Sequence, residues 1–306
     1  MKHLSKWIAK PVHAGRIVRK TAGKLFGPKG LLREALTKQG RTQLRFMFEH
    51  SHRASPQFIS KWNETERLVA EHYHLIVAGG PFQKMRYVNS SANSGYVTKL
   101  LGSYEAELAP YIEQVCENAN NGQYAAIVDI GCAEGYYAVG MALRCPAVPI
   151  IAYDSDKSAR SLCQELARKN DVENRIEIHA ACSPLELSTE LQKHLTDKTK
   201  RVFVLCDIEG GEFDLLNPAE IPELMQCDML IELHDFLYPP ITSTLVQRFK
   251  SSHDIEFFDT VTRRIKEVPS VAFLPKRLQR VAIDDRRGHH QSFMWCKARL
   301  DTQIRQ

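Results

Sequence analysis

The chain has 306 residues, of which 43% are hydrophobic and 25% are charged, and its formal net charge at pH 7 is +5. No apolar run approaches the roughly 20 residues that a transmembrane helix needs, and the N-terminus lacks the uninterrupted apolar segment of a secretory leader. The eight cysteines are scattered without a C-x-x-C pair, which argues against a disulfide framework or a zinc site and indicates a cytoplasmic protein with reduced thiols.

The first 50 residues carry all of the net positive charge. They contain 12 Lys and Arg against two acids, a net charge of +10, whereas the remainder of the chain has a net charge of −5. The bases are interspersed with Trp7, Ile8, Ile17 and Phe26, a mixture typical of segments that bind anionic surfaces. Two interpretations stay open: docking on an anionic surface such as the inner face of a membrane, or a solvated arm without a partner, because repeated Gly and Pro interrupt any long helix.

Two helices are predicted between the basic segment and the first strand. The sequence predicts a helix over residues 63–77, which Gly79-Gly80-Pro81 ends, and a second helix from about Tyr104 with Ser103 as its N-cap. The polar stretch NANNGQY then resembles a linker, so we place a domain edge near residue 115. Residues 1–115 are predicted to form a basic, mainly α-helical N-terminal extension, and residues 116–306 a second domain.

The stretch VDIGCAEGYYAVGMA, residues 128–142, places small residues at every second position. Gly131, Ala133 and Gly135 follow an apolar run that suits a buried parallel strand, and residues 134–143 have the spacing of a helix. Strand, glycine turn and helix form the anion- and nucleotide-binding unit of open α/β sheets. An ordinary strand-to-helix turn with small residues is the alternative.

The spacing of the small residues indicates which kind of nucleotide-containing cofactor the turn would bind. A dinucleotide fingerprint needs glycine at the sixth position, where the bulky Tyr136 would block a pyrophosphate. The pattern D-x-G-x-(G/A)-x-G, which begins at Asp129, instead resembles the first motif of class I S-adenosylmethionine-dependent methyltransferases. In that family the turn contacts the ribose and the methionine part of the cofactor.

A second acid follows at the expected distance. PIIAYDSD is a short apolar run that ends in Asp154, about 20 residues beyond the glycines, where a carboxylate can accept hydrogen bonds from both ribose hydroxyls. Asp156 competes for this role, but Ser155 and Asp156 also suit the N-cap of a helix over residues 157–169.

The remaining chain continues to alternate strands with helices. Strands are predicted near residues 175–181, 227–236, 254–260 and 290–298, and residues 201–216 are predicted to form a strand followed by a helix. The last two strands are predicted to form an antiparallel pair. This alternation predicts an α/β fold with a doubly wound, seven-stranded, mostly parallel sheet. It is the Rossmann-like arrangement of class I methyltransferases.

The sequence around the fourth strand resembles one particular family of methyltransferases. CDIEGGEFDLLN is similar to the D-x-E-G-x-E-x-x-x-L signature of FkbM-type methyltransferases, and IELHD is similar to the end of their fifth strand. The resemblance covers roughly residues 125–260, and GGPFQKMRY with KLLGSYEAEL is also like the segment that precedes the domain in some bacterial members. The first motif departs from the family, with Gly-Cys-Ala-Glu where Gly-Ala-Asn is more frequent, and this leaves the contact made by Glu134 open.

The resemblance implies O-methylation of a sugar, glycolipid or secondary-metabolite hydroxyl, with S-adenosylmethionine as cofactor and residues 1–115 as a lid. The motifs together predict the cofactor-binding residues: Asp129, Gly131, Cys132, Ala133, Gly135, Asp154, Ser155, Cys182 and Asp207. Two alternatives are kept, an RNA methyltransferase that uses the basic segment and a non-catalytic adaptor with the same fold. Nucleic acid is disfavoured as a partner because the (N/D)-P-P-(Y/F) turn of base-nitrogen methyltransferases is replaced by CDIEGG.

Three residues are predicted to be catalytic: Asp207, His234 and Asp235. The carboxyl ends of adjacent parallel strands converge, so Asp207 and Glu209 should face His234 and Asp235. His234 is the preferred base because imidazole titrates near neutral pH, although a histidine that only bonds the backbone is the alternative. Asp207 would orient the substrate or the sulfonium, and Glu212 is expected to cap a helix.

The same residues could form a metal site. Asp207, His234 and Asp235 are placed as ligands are in magnesium-dependent catechol-type methyltransferases. Magnesium prefers oxygen ligands, and the histidine nitrogen therefore counts against it. No metal is predicted.

Overall fold

The structure is a computed structural model, and it describes residues 55–92, 95–235, 237, 240–285, 287 and 291–299. The basic segment lies outside these residues, so its docking on an anionic surface stays a prediction. Within the described part of the chain, no helix combines the length and the apolar character needed to cross a bilayer.

Seven strands form one sheet, in the order β3-β2-β1-β4-β5-β7-β6. Their bounds are β1 Tyr124–Ile130, β2 Ile150–Tyr153, β3 Ile176–His179, β4 Arg201–Cys206, β5 Cys227–Leu233, β6 His253–Asp259 and β7 Ser292–Ala298. The first five strands pair in parallel, whereas β7 is antiparallel to both β5 and β6. The predicted doubly wound sheet, with its late antiparallel pair, is confirmed.

Burial explains this arrangement. All residues of β5 are buried, and β1 and β4 are nearly so, which is the pattern of parallel strands covered on both faces. The edge strand β6 is mostly exposed or half-buried. Two hydrophobic clusters lie on the two faces of the sheet, one containing Ile127 and Phe203 and the other Val128 and Val204.

Nine α-helices are formed by the described residues. Their bounds are α1 Pro56–Tyr73, α2 Tyr96–Leu101, α3 Ala109–Asn120, α4 Tyr136–Arg144, α5 Lys157–Lys169, α6 Pro184–His194, α7 Glu212–Leu215, α8 Ile241–Phe249 and α9 Lys276–Ala282. Helix α5 has the predicted bounds, and Asp156 caps it by accepting a 2.8 Å hydrogen bond from the Ser158 N–H.

The two helices predicted before the sheet have different bounds in the structure, and a third helix, α2, was not predicted. Helix α1 begins earlier, where Ser55 caps the Phe58 N–H, and it ends at Tyr73 because the next residue has a left-handed backbone. The second predicted helix corresponds to α3. It begins at Ala109 rather than at Tyr104, because Glu105 has a positive φ of 45° that interrupts a helix. Ser103 therefore caps neither, and its buried hydroxyl has no hydrogen-bond partner among the described residues.

The predicted domain edge falls inside α3. Ile112, Val115 and Cys116 on this helix are buried in the hydrophobic cluster that also contains Ile127 of β1. Residues of α1, such as Trp62 and Val69, belong to the same cluster. Residues 55–115 thus share a core with the sheet, and the division of the chain into two functional domains stays a prediction.

A very close backbone approach joins β1 to β4 at the glycine turn. The Asp207 N–H donates a 2.9 Å hydrogen bond to the Ile130 carbonyl. A Cβ atom on Gly131 would lie 1.8 Å from the Asp207 carbonyl oxygen, and Gly131 has a φ of +90°. Glycine is required here by the protein's own backbone, and not only by a ligand.

We predict that Gly131→Ala strongly destabilises the fold. The clash with backbone and the positive φ together should lower the free energy of unfolding by roughly 3 kcal/mol or more. The matched control is Gly122→Ala, because Gly122 has a φ of +75° and open space around its Cβ position. The control should lose about 1 kcal/mol, and equal losses in denaturant titrations of both variants would contradict the role of the close approach.

Candidate active site

A pocket of about 350 Å³ opens where β1, β2 and β4 end. Every residue predicted to bind the cofactor lines it except Gly135; the lining members are Asp129, Gly131, Cys132, Ala133, Asp154, Ser155, Cys182 and Asp207. Gly135 instead caps α4 with a φ of +91°, and a Cβ atom there would meet the Cys163 sulfur at 2.6 Å.

Hydrogen bonds tie the glycine turn to β2. The N–H groups of Gly131 and Cys132 donate to the Tyr153 carbonyl at 2.8 and 2.9 Å. The Ala133 N–H donates to Asp154 Oδ2 at 2.8 Å, and the Asp156 N–H donates to Asp154 Oδ1 at 2.8 Å. Because each carboxylate oxygen can accept two hydrogen bonds, Asp154 keeps acceptor capacity toward the pocket while its position is held by the backbone.

Glu134 connects the glycine turn to the segment that precedes the sheet. Its fully buried carboxylate lies 2.5 Å from Lys99 Nζ and accepts hydrogen bonds from Tyr87 at 2.6 Å and Ser91 at 2.9 Å. Burial alone would raise the pKa of Glu134, but the Lys99 charge and these hydrogen bonds outweigh it and lower the pKa. The contact that the first motif left open is therefore a buried ion pair with α2.

Acidic side chains dominate the pocket. Asp207 and Glu232, from the ends of β4 and from β5, line it together with Glu105. Burial, and then the charge of Asp207, raises the pKa of Asp129 to about 8. Enclosure raises the pKa of Asp207 to about 6 even though His234 opposes the shift. Burial and the charge of Asp207 also raise the pKa of Glu232 well above its ordinary value.

A buried arginine offsets part of this negative charge. Arg287 lies 2.6 Å from Glu105, 3.5 Å from Glu232 and 3.8 Å from Asp285. Glu105 also accepts a hydrogen bond from the Tyr137 hydroxyl. These residues come from separate parts of the chain, and no role in the pocket was predicted for them. Glu105 and Glu232 lie in the quoted segments KLLGSYEAEL and IELHD, and a glutamate inside the apolar run MLIEL is a signal for Glu232.

His234 lies behind the pocket and not in it. Its side chain is 1% exposed, whereas that of Asp207 is 43% exposed. His234 Nε2 lies 3.6 Å from both Asp207 Oδ1 and Glu209 Oε2, so the predicted grouping of these residues is present. His234 Nδ1 lies 2.8 Å from Glu212 Oε1, which holds the ring in the interior.

The surroundings of His234 favour its charged form. Burial lowers its pKa, but the hydrogen bond to Glu212 and the nearby carboxylates outweigh burial and raise it. Glu212 also accepts a 3.0 Å hydrogen bond from the Ile208 N–H, and so it closes the β4–α7 turn. A buried imidazole with a raised pKa is poorly suited to take a proton from substrate directly, and the geometry instead places it against Asp207.

Asp235 does not line the pocket. Its carboxylate accepts a 3.1 Å hydrogen bond from the Thr242 N–H and another from the Thr242 hydroxyl. It thereby stabilises the first turn of α8. The side chain that follows His234 points to this helix because successive residues at a strand end face opposite sides.

Among the described residues, Asp207, Glu232 and His234 form a group that could hold a metal ion, and their ligand atoms lie within 4.8 Å of one another. This set replaces the predicted Asp235 with Glu232. One nitrogen donor among two carboxylates departs from the all-oxygen coordination that magnesium prefers. The raised pKa of His234 also opposes ligation, which requires the neutral ring.

No protein-family model and no curated protein matches this sequence. Among solved structures, the chain is similar to a human methyltransferase 10 domain-containing protein, at 13% identity and a TM-score of 0.40 over 77% of this chain and 95% of that one. An O-methyltransferase from Bacillus cereus in complex with S-adenosylhomocysteine has 11% identity and a TM-score of 0.39, over 78% of this chain and 90% of its own.

A third similar structure is the O-methyltransferase TomG from Streptomyces achromogenes, involved in tomaymycin synthesis and in complex with S-adenosylmethionine. It has 12% identity and a TM-score of 0.39, over 86% of this chain and 100% of its own. These neighbours are methyltransferases, and they are too distant to identify residue roles in this chain. The resemblance to FkbM-type enzymes stays a prediction.

Proposed function

We propose that this protein is an S-adenosylmethionine-dependent methyltransferase. The observation that carries the proposal is the glycine turn hydrogen-bonded to the Asp154 carboxylate at the mouth of the pocket, with the Ala133 N–H 2.8 Å from Asp154 Oδ2. This hydrogen bond supports the assignment of Asp154 as ribose acceptor, because it holds the carboxylate beside the turn over which the cofactor would lie. The remaining lining residues Ser155 and Cys182, beyond β2 and β3, suit the adenosine end.

The charge of the pocket favours a cofactor with a sulfonium cation over a dinucleotide. Six carboxylates line it, from Glu105, Asp129, Asp154, Asp207, Glu209 and Glu232. The raised pKa values of Asp129 and Glu232 reduce the negative charge of this set. The carboxylates that are ionised would repel a pyrophosphate or an RNA backbone, whereas they would attract a sulfonium cation. Tyr136 occupies the start of α4, packed 5.1 Å from the Phe82 ring, where a pyrophosphate would approach the helix.

We predict that Asp154→Ala weakens binding of S-adenosylhomocysteine by roughly 10- to 100-fold, because it removes a charged acceptor for ribose. Calorimetry is the measurement, with the free energy of unfolding determined in parallel. The matched control is Asp156→Ala, which removes the α5 cap two residues away and should leave the affinity within about twofold of wild type.

Wild-type affinity in Asp154→Ala would contradict the assignment. Binding of NAD by the wild-type protein in the same titration would redirect the proposal to an oxidoreductase.

The reaction we propose is O-methylation of a sugar, glycolipid or secondary-metabolite hydroxyl. S-adenosylmethionine supplies the methyl group when bound, and the chain must align the acceptor and accept its proton. Asp207 is the best-placed proton acceptor, because it faces the pocket and its pKa is raised to about 6. His234, 3.6 Å behind it, positions this carboxylate and compensates its charge. The basic residues 1–50 would dock the enzyme on an anionic surface where the acceptor resides.

We predict that Asp207→Asn lowers turnover by about 100-fold or more while the affinity for S-adenosylhomocysteine stays within a few-fold of wild type, because a proton acceptor is lost. In the wild type, turnover should rise with pH through about 6, as Asp207 loses its proton, and then stay level. A chelator such as EDTA should have little effect. Loss of activity with EDTA and its recovery with magnesium would contradict this proposal and assign Asp207 and Glu232 to a metal.

A further inference from the structure

The pocket contains one conspicuous exception to its acidic lining. Among the described residues that line it, Lys99 is the only base, against six carboxylates. The cofactor of the proposed function carries a carboxylate of its own at the methionine end. The same end carries an ammonium, which suits the acidic lining, whereas the carboxylate would be repelled by it. A cation at the place where the carboxylate lies would therefore favour binding and fix its orientation.

Lys99 is held firmly in an enclosed position. Its side chain is 4% exposed, and its ammonium lies 2.5 Å from Glu134 Oε1. The ammonium also lies 4.7 Å from the centre of the Tyr104 ring, a distance suited to a cation–π interaction. An ammonium has three N–H donors and the Glu134 Oε1 contact engages one of them, so it can bind a second anion without breaking this pair.

The position of Lys99 matches the methionine end and not the adenosine end. Asp154 at the end of β2 would hold the ribose, and the adenine would then extend toward β3, where Ala181 and Cys182 line the pocket. The methionine part must run the other way, across the glycine turn. Lys99 is paired with Glu134, the residue directly after the turn residues Gly131, Cys132 and Ala133.

We propose that Lys99, held by Glu134, binds the carboxylate of the methionine part of S-adenosylmethionine and thereby selects a cofactor that carries an amino-acid tail. The inference rests on the proposed function and adds Lys99, which is not among the predicted cofactor-binding residues. It also gives Glu134 a functional purpose, since a buried carboxylate directly after the turn fixes the lysine in register with the cofactor.

The test compares two ligands that differ in the amino-acid tail: S-adenosylhomocysteine, and 5′-methylthioadenosine, which lacks it. The variant is the double substitution Lys99→Met with Glu134→Gln, because removal of Lys99 alone would leave a buried unpaired charge. Glutamine can still accept from Tyr87 and Ser91. The matched control is Lys61→Met, an exposed lysine on α1. Calorimetry or equilibrium dialysis gives the six affinities of the wild type, the double variant and the control for the two ligands.

The double variant should lose roughly 10- to 100-fold in affinity for S-adenosylhomocysteine and bind 5′-methylthioadenosine as the wild type does. Equal losses for both ligands, or no loss for either, would overturn the role of Lys99. If the double variant does not fold, the wild type decides: it should bind S-adenosylhomocysteine roughly 10- to 100-fold more tightly than its carboxamide, and equal affinities would overturn the proposal. A wild-type protein that binds none of these ligands would overturn the proposed function itself.

Discussion

The site depends on one close backbone approach, between Gly131 at the end of β1 and Asp207 at the end of β4. With no Cβ atom at Gly131, the two strand ends meet at a separation that excludes any side chain. The same approach places the Asp207 side chain beside the turn that holds Asp154. The groups proposed to bind the cofactor and to accept the proton are thus brought together by the packing of two adjacent parallel strands, and a local change at the turn would displace both.

A second constraint is the concentration of buried charge. Carboxylates from five separate segments line one pocket. Cations pair with acidic groups in and around it: Arg287 lies beside Glu105 and Glu232, Lys99 beside Glu134, and His234 beside Glu212. Removing one member of such a pair leaves an uncompensated buried charge. This network couples the segment before the sheet to the strand ends, because Lys99 and Glu105 belong to that segment.

The sequence predicted the sheet well because its signals are local. Apolar runs mark the strands, and the spacing of small residues marks the turn after β1. The capping role of Asp156 was predictable because a capping residue must immediately precede its helix. The start of the second helix was wrong because the left-handed backbone at Glu105 follows from tertiary packing and not from propensity.

The parts of the site that could not be predicted come from residues distant in sequence. Lys99 and Arg287 approach the pocket only after the chain has folded, and no spacing rule relates them to Gly131. The burial of individual side chains could not be predicted either. His234 follows β5 as expected, but its ring contacts Glu212 in the interior, and the Asp235 side chain contacts α8. Three residues of IELHD therefore have different surroundings: Glu232 lines the pocket, His234 lies behind it and Asp235 contacts a helix.

The central claim is that the pocket at the ends of β1, β2 and β4 binds S-adenosylmethionine in one defined orientation. A crystal structure of the protein grown with S-adenosylhomocysteine tests it most directly. The account predicts ribose hydroxyls within hydrogen-bonding distance of the Asp154 carboxylate, adenine near Cys182 and the amino-acid tail beside Lys99. Density for the ligand at another place, or in this pocket with the adenine at Lys99, would contradict it.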